Sequence, residues 1–257
     1  MFTALGVVEV LPAVANLSLK SPLAGIGRRR FGGKTLLEWV VRRATEAHRL
    51  DQVVVLAGDD PLSRSLTKLV PRDVPVFVSS GHDPLERYAD IARQFPSYSL
   101  VRTSVSSPFV DPILIDRLVN TALEDKSCDY ATFCLKCGRS VMHAQLGFFA
   151  EWFRSEAILR ADRLATESDE RHSPTQFLRE HSELFHLKFL QAPAKLDRDD
   201  IRLEIHEEED WENLETIFEA LGPESLDWQY ITALLDRHPS ICGRMRELNR
   251  AAPVLLP

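Results

Sequence analysis

Apolar and polar positions follow one another along this chain in two ways. Short continuous apolar runs, such as residues 52–57, are typical of strands buried on both faces of a sheet. Longer stretches, such as residues 35–50, repeat their apolar residues every three or four positions and predict amphipathic helices. Because the two patterns alternate through the first half of the chain, the sequence predicts an α/β fold with a mostly parallel sheet and covering helices.

The individual elements follow from these runs and from the residues that flank them. The predicted strands are residues 5–11, 52–57, 74–78, 129–135, 146–149, 185–190 and 201–205, with one more around Leu100. The predicted helices are residues 35–50, a helix opened by Asp60-Pro61, residues 83–94, 111–123, 154–166, 173–181 and 207–221, and two within 225–249 that break at His238-Pro239. We therefore expect one α/β domain over residues 1–222 and a helical extension over 223–257.

Composition and charge narrow the classes of partner. The 257 residues carry a net charge of −7, which argues against nucleic acid or an anionic membrane as a bulk electrostatic partner. No run of apolar residues is long enough for a membrane-spanning helix, and residues 1–10 lack the basic start of a secretory signal. A cytoplasmic location is the resulting expectation.

The four cysteines do not form a disulfide framework in a chain of this length. Cys134-x-x-Cys137 with His143 nearby would offer three zinc ligands, but no second pair completes a four-ligand site. Reduced thiols are therefore the expectation at these positions.

A long connection, residues 12–34, joins the first predicted strand to the first predicted helix. It is rich in glycine and in cations, including Lys20 and Arg28. Glycines let backbone amides approach a phosphate, and the cations add charge, although the spacing matches neither a P-loop nor a dinucleotide fingerprint. We expect phosphate binding here, with a flexible solvated loop as the alternative.

A strand-loop-helix segment, residues 98–112 (YSLVRTSVSSPFVDP), is the most informative stretch. It resembles the Arg-x-x-Gly-Asp-x-Pro-Leu-x-Asp-Pro segment of the cytidylyltransferases that make CMP-sugars and related sugar nucleotides. Further segments resemble the same family in the same order, above all its spore-coat polysaccharide branch. These are residues 31–40 (FGGKTLLEWV), 83–88 (DPLERY), 170–174 (ERHSP) and 201–210 (IRLEIHEEED), with His238-Pro239 and Asn249 near the end.

The resemblance implies a Rossmann-like, GT-A-like nucleotidyltransferase fold with three layers. It implies CTP-like nucleotide and sugar substrates, Mg²⁺ as cofactor if the protein is active, and a homodimer as one arrangement. It assigns Arg102, Asp111 and Asp210 to the reaction. Nucleotide or phosphate binding is expected of Lys20, Arg28, Arg87 and Ser106.

Alternatives stay open at several of these positions. Arg102 contacts an anion or forms a buried structural ion pair. Asp111 is a site carboxylate or a helix cap, and Asp210 is a site carboxylate or part of an acidic helix start. Arg87 faces a ligand or pairs with an acidic neighbour on its own helix.

The chain departs from the family at its metal site. The family's two metal-binding aspartates align with Ser106 and His206. Mg²⁺ prefers oxygen ligands, carboxylates above all, so no metal ligand is predicted at these two positions. Two hypotheses follow, namely a nucleotidyltransferase of sugar-nucleotide and surface-polysaccharide metabolism with a remodelled site, and a catalytically inactive nucleotide- or sugar-binding protein or partner that kept the fold.

Overall fold

Nine strands and nine α-helices are found in residues 2–10 and 25–251, the part of the chain that is described by a computed structural model. The strands are β1 (Phe2–Glu9), β2 (Arg30–Phe31), β3 (Lys34–Thr35), β4 (Gln52–Gly58), β5 (Val76–Ser79), β6 (Ser97–Ser104), β7 (Tyr130–Cys134), β8 (Glu151–Arg154) and β9 (Leu187–Gln191). The helices are α1 (Leu36–Thr45), α2 (Pro61–Thr67), α3 (Pro84–Gln94), α4 (Pro112–Leu123), α5 (Ser155–Leu164), α6 (Gln176–Glu180), α7 (Glu208–Leu221), α8 (Trp228–Arg237) and α9 (Pro239–Ala251).

Seven of the strands form one sheet in the order β5-β4-β1-β6-β8-β7-β9. Only β8 runs antiparallel to its neighbours, and every other pairing in the sheet is parallel. Strands β2 and β3 form a separate two-stranded hairpin. The predicted α/β fold with a mostly parallel sheet is confirmed.

Alternate residues of the central strands point into two cores, which makes the fold three-layered. Along β1, Ala4 and Val8 face the core formed with α1, α4, α7, α8 and α9. Leu5 and Val7 face the opposite core, formed with α3, α5 and α6.

An aspartate followed by proline begins each of the helices α2, α3 and α4. The carboxylates of Asp60, Asp83 and Asp111 accept hydrogen bonds from backbone N–H groups of the first turn, and the proline stands where no such bond is needed. This local chemistry explains why these helix starts were predictable from sequence.

Two predicted strands are wrong. Residues 146–149 form no strand, because Gly147 takes a left-handed φ of 70° and packs against the backbone of Leu203. The strand of this region, β8, begins at Glu151, between the predicted strand 146–149 and the predicted helix 154–166. Residues 201–205 also form no strand, since their N–H groups bond to loop carbonyls of Gln145 and Ser106.

The C-terminal helices α8 and α9 break at His238, as the sequence predicted. Ile231, Leu235 and Met245 from these helices belong to the same core as the sheet. The division at residue 222 stays a prediction. None of the helices in residues 2–10 and 25–251 combines the length and the apolar character needed to cross a membrane.

Candidate functional site

The carboxyl ends of β1, β4 and β6 meet at one edge of the sheet, because these three neighbours are parallel. Their last residues are Glu9, Gly58 and Ser104. Ligands of open α/β sheets bind in the crevice outside such an edge. We refer to this edge as the strand-end crevice.

Arg102 lies on β6 just below the strand-end crevice, between two buried glutamates. Its Nε donates to Oε2 of Glu9 at 3.0 Å, and its Nη1 donates to Oε2 of Glu151 at 2.8 Å. Oε1 of Glu151 accepts hydrogen bonds from the hydroxyl groups of Tyr130 at 2.6 Å and Thr175 at 2.9 Å. The anions that Arg102 contacts among the described residues are therefore the protein's own carboxylates, which is the buried structural alternative.

The two glutamates respond differently to the same arginine. Burial raises the pKa of Glu9, and Arg102 offsets this only in part. Burial acts in the same direction on Glu151, but Arg102 and Arg179 together hold the pKa of Glu151 below its ordinary value. Arg87 also acts on Glu9. Charges therefore alternate in a row, in which Glu9, Arg102 and Glu151 are in contact and Arg87 and Arg179 act electrostatically on the two glutamates.

Arg87 is the cation of this row that lies nearest the strand ends β4 and β5. Its Nε donates to the carbonyl of Gly81 at 3.1 Å. A Cβ atom added to Gly58 would be 3.6 Å from Nη1 of Arg87. Among the described residues the two Nη atoms have no hydrogen-bond or ion-pair partner, which leaves them free to donate to an anion.

The other two cations predicted to bind phosphate belong to the long loop. Arg28 is exposed, and its Nη2 donates to the hydroxyl group of Ser65 on α2. Lys20 lies outside the described residues. Phosphate binding by either residue stays a prediction.

Ser106 is buried directly after β6, and a carboxylate lies beside it. Its hydroxyl group donates to Oε1 of Glu204 at 3.0 Å and lies 2.8 Å from the hydroxyl oxygen of Ser104. Glu204 comes from the segment before α7, far away in sequence. Sequence reasoning missed Glu204, because only the positions aligned with the family's aspartates were considered.

His206 shares that carboxylate. Its Nε2 lies 3.5 Å from Oε2 of Glu204, although the pair is not aligned as a hydrogen bond. Burial lowers the pKa of His206, but the Glu204 carboxylate more than compensates, so the pKa lies above its ordinary value. Burial raises the pKa of Glu204, whereas His206 and the Ser106 hydroxyl bring it below the ordinary value. Both directions favour an ion pair.

Asp210 and Arg202 fix the segment that carries Glu204 and His206. Asp210 is fully buried, accepts from Nε of Arg202 at 2.5 Å, and also accepts from the N–H groups of His206 and Glu207 at 2.8 and 3.1 Å. Glu207 and Asp210 form a capping box at the start of α7. These contacts are those of a structural residue, and a catalytic role for Asp210 stays a prediction.

Asp111 is likewise fully buried and fully bonded. One carboxylate oxygen accepts from the N–H groups of Ile113 and Leu114 at 2.9 and 3.0 Å, and the other accepts from Trp228 at 3.1 Å. The side chain therefore caps α4 and ties α8 to it. A reactive role for Asp111 is not supported by these contacts.

The described residues provide no group of three or more His, Cys, Asp or Glu side chains placed to hold a metal ion. Cys134 is buried, Cys137 is exposed, and Nε2 of His143 lies 2.9 Å from Nη1 of Arg179. The oxygens around Ser106 are a different donor set, one carboxylate and two hydroxyl groups. Mg²⁺ is often held by one or two carboxylates together with substrate phosphates. The set therefore fits a divalent cation shared with a nucleotide, and does not fit one held by the protein alone.

Comparison with known proteins agrees with this architecture. The cytidylyltransferase family matches residues 28–233. The spore coat polysaccharide biosynthesis protein SpsF of Bacillus subtilis is 25% identical over 225 residues, which cover 84% of this chain and 90% of SpsF.

Two solved structures show the same fold. A cytidylyltransferase from Leptospira borgpetersenii has a TM-score of 0.78 at 21% identity, over 94% of this chain and 96% of that one. Rv0371C from Mycobacterium tuberculosis, solved as a complex with manganese, has a TM-score of 0.56 at 16% identity, over 83% and 98%. Since the family match spans most of the sequence, this chain belongs to the cytidylyltransferase family.

Proposed function

We propose that this protein binds a CTP-class nucleotide in the strand-end crevice and transfers its cytidylyl group to a sugar, in the synthesis of a sugar nucleotide for a surface polysaccharide. The observation that carries the proposal is the open guanidinium of Arg87 beside the glycines that end β4 and precede α3. The nearby Asp60 carboxylate is already bonded to the first turn of α2, and a guanidinium whose Nη atoms have no partner among the described residues suits a phosphate group. Family membership supplies the base and the reaction class.

In that reaction a sugar oxygen attacks the α-phosphorus of CTP, the new P–O bond forms, and the bond to the leaving pyrophosphate breaks. The chain's contribution is to position the reactants and to offset negative charge on the phosphates. Arg87 donates to a phosphate oxygen, while the Arg102 network keeps the crevice floor rigid beneath it. A bound divalent cation would supply further neutralisation of the phosphates.

Nucleotide binding without turnover is the second candidate. The contact between His206 and Glu204 favours it, because an imidazole already lies against the one carboxylate beside Ser106. Under this reading the protein retains the crevice and its cations but does not need a metal. With either candidate, a cytoplasmic location and a homodimer stay predictions.

Calorimetric titration with CTP, with and without Mg²⁺, tests the proposal. We expect CTP to bind more tightly than ATP or UTP, and Arg87→Gln to weaken binding about tenfold to a hundredfold through the loss of a charged hydrogen bond. Arg93→Gln is the matched control, since Arg93 lies on the same helix but pairs with Asp90 and Asp162 at the surface.

A pyrophosphate assay with CTP, Mg²⁺ and a panel of sugars and sugar acids separates the two candidates. Pyrophosphate release that depends on one acceptor supports transfer. Tight CTP binding that is insensitive to Mg²⁺, with no release for any acceptor, supports binding without turnover. No CTP binding at all would overturn both.

A further inference from the structure

We propose that Glu204 is the carboxylate of a divalent-cation site that forms only when the nucleotide is bound. This inference rests on the proposed function, because the nucleotide's phosphates supply the remaining oxygen ligands. The site-forming residues are Ser104, Ser106 and Glu204, and we call them the serine-glutamate site. Of these three residues, only Ser106 aligns with a metal-binding aspartate of the family, and its side chain lacks a carboxylate.

The backbone holds Glu204 in this place from two sides. The carbonyl of Gln145 accepts from the N–H groups of Leu203 and Glu204 at 3.0 and 3.2 Å. The carbonyl of Ser106 accepts from the N–H group of Ile205 at 2.8 Å. Residues 203–205 are thus bonded to two loops at once, and these bonds hold the Glu204 side chain at the carboxyl end of β6.

The three oxygens lie close enough together to share a ligand. The Ser104 and Ser106 hydroxyl oxygens are 2.8 Å apart, and the Ser106 hydroxyl is 3.0 Å from Oε1 of Glu204. Hydroxyl and carboxylate oxygens suit a hard cation such as Mg²⁺ or Mn²⁺. Only a fifth of the Glu204 side chain is exposed, so the carboxylate is desolvated on most sides.

The serine at position 106 is the complement of this glutamate. An aspartate at 106 would set a second carboxylate about 3 Å from the first, and two like charges so close disfavour each other's ionised form. With Ser106 the same space holds a hydrogen-bond donor to Glu204. The site therefore still has a carboxylate, which is supplied by position 204 and not by position 106.

The small number of protein ligands explains why the nucleotide is needed. The serine-glutamate site offers a cation one carboxylate and two hydroxyl groups, which are too few for a divalent cation held by the protein alone. A divalent cation bound to triphosphate brings phosphate oxygens to the site as its remaining ligands. Metal affinity should accordingly be low without nucleotide and high with it.

Electron paramagnetic resonance of Mn²⁺ measures this without any turnover. We expect the wild-type protein to bind Mn²⁺ weakly by itself. With the α,β-methylene analogue of CTP present, we expect it to bind Mn²⁺ strongly, with an affinity higher than that of the free nucleotide for Mn²⁺. Glu204→Gln should reduce the nucleotide-dependent affinity by more than about tenfold. Glu209→Gln is the matched control, because Glu209 is exposed in the first turn of α7 and makes no side-chain contact among the described residues.

A relocation variant keeps the test independent of folding. In Ser106→Asp combined with Glu204→Gln, the carboxylate returns to position 106 and the 204 side chain remains polar. We expect this double variant to recover nucleotide-dependent Mn²⁺ binding that Glu204→Gln alone has lost.

The outcomes separate this inference from the proposed function. If the CTP analogue does not bind at all, both the proposed function and this inference are wrong. If the analogue binds but Glu204→Gln leaves Mn²⁺ affinity equal to that of Glu209→Gln, the serine-glutamate site is wrong while nucleotide binding stands. Strong Mn²⁺ binding without nucleotide would also overturn the inference.

Discussion

Nη1 of Arg102 lies 2.8 Å from Oε2 of Glu151, and this contact joins β6 to the one antiparallel strand of the sheet. The same guanidinium reaches Glu9 on β1 at 3.0 Å. Three strands therefore share one buried cation at the crevice floor. The anion that the sequence predicted for Arg102 is, in the described residues, internal to the protein, and a ligand contact by Arg87 stays a proposal.

Arg102→Met should be strongly destabilising. It would leave Glu9 and Glu151 buried, 5% and 2% exposed, without their shared cation. Removing one partner of a buried ion pair costs about 3–5 kcal/mol of unfolding free energy. Urea denaturation measures the loss. Arg42→Met is the control, since its pair with Asp73 is at the surface and contributes about 0–1 kcal/mol; equal losses for the two variants would contradict a buried network.

Regular periodicity explains how much of the fold was predictable. Strand β4 and helices α1, α3 and α4 have continuous apolar runs, amphipathic repeats or Asp-Pro starts, which are local signals. The segments 146–149 and 201–205 have strand-like composition but contact each other through loop backbone, with Gly147 at φ 70°. Composition cannot distinguish a strand from an extended segment whose hydrogen bonds go to a loop.

The candidate site was less predictable, since it depends on contacts between distant segments. Ser106 and Glu204 are 98 positions apart, and nothing in either local pattern indicates that they meet. Asp111 shows the opposite case, because its Asp-Pro context already offered a helix cap as one of two alternatives, and its carboxylate caps α4 in the structure. The signal available for Glu204 was its position two residues before His206, at the end of the predicted strand 201–205, because side chains two positions apart in an extended segment share a face.

Gly147→Ala should disturb the serine-glutamate site from behind. A Cβ at Gly147 would lie 2.2 Å from the Leu203 carbonyl oxygen and 3.0 Å from the Glu204 nitrogen, at a φ of 70° that already disfavours alanine. We expect a loss of more than about 2 kcal/mol, together with weaker nucleotide-dependent Mn²⁺ binding. Thermal unfolding and the Mn²⁺ titration check both parts.

Gly138→Ala is the control for that variant. Gly138 has a comparable φ of 84°, but an added Cβ would meet nothing within 4 Å. It should show the conformational cost alone, about 1–2 kcal/mol, and unchanged Mn²⁺ affinity. If both variants lose Mn²⁺ binding equally, the contact with Leu203 is not what positions Glu204.

Asp111→Ala should affect stability and leave nucleotide affinity unchanged. The carboxylate accepts three backbone N–H bonds and joins the start of α4 to that of α8. Loss of a helix cap costs about 0.5–2 kcal/mol, and the N–H group of Trp228 would lose its partner as well. Denaturation and CTP titration are measured on the same preparation. A stable variant that no longer releases pyrophosphate would instead return Asp111 to the reaction.

The pair of His206 and Glu204 makes stability depend on pH in a defined direction. The pKa of His206 is raised in the folded state, so its contribution is fully present below the ordinary value of 6.5 and is lost as pH rises through the folded value. The pKa of Glu204 is lowered, so its contribution is present above 4.5 and is lost as pH falls through the folded value. The difference in Tm between the wild type and His206→Gln should therefore be largest between pH 4.5 and 6.5 and shrink above that window. His172→Gln, at an exposed position without an ion pair among the described residues, should track the wild type throughout. A His206→Gln difference that grows with rising pH would contradict the ion pair and show that His206 is neutral in the folded protein.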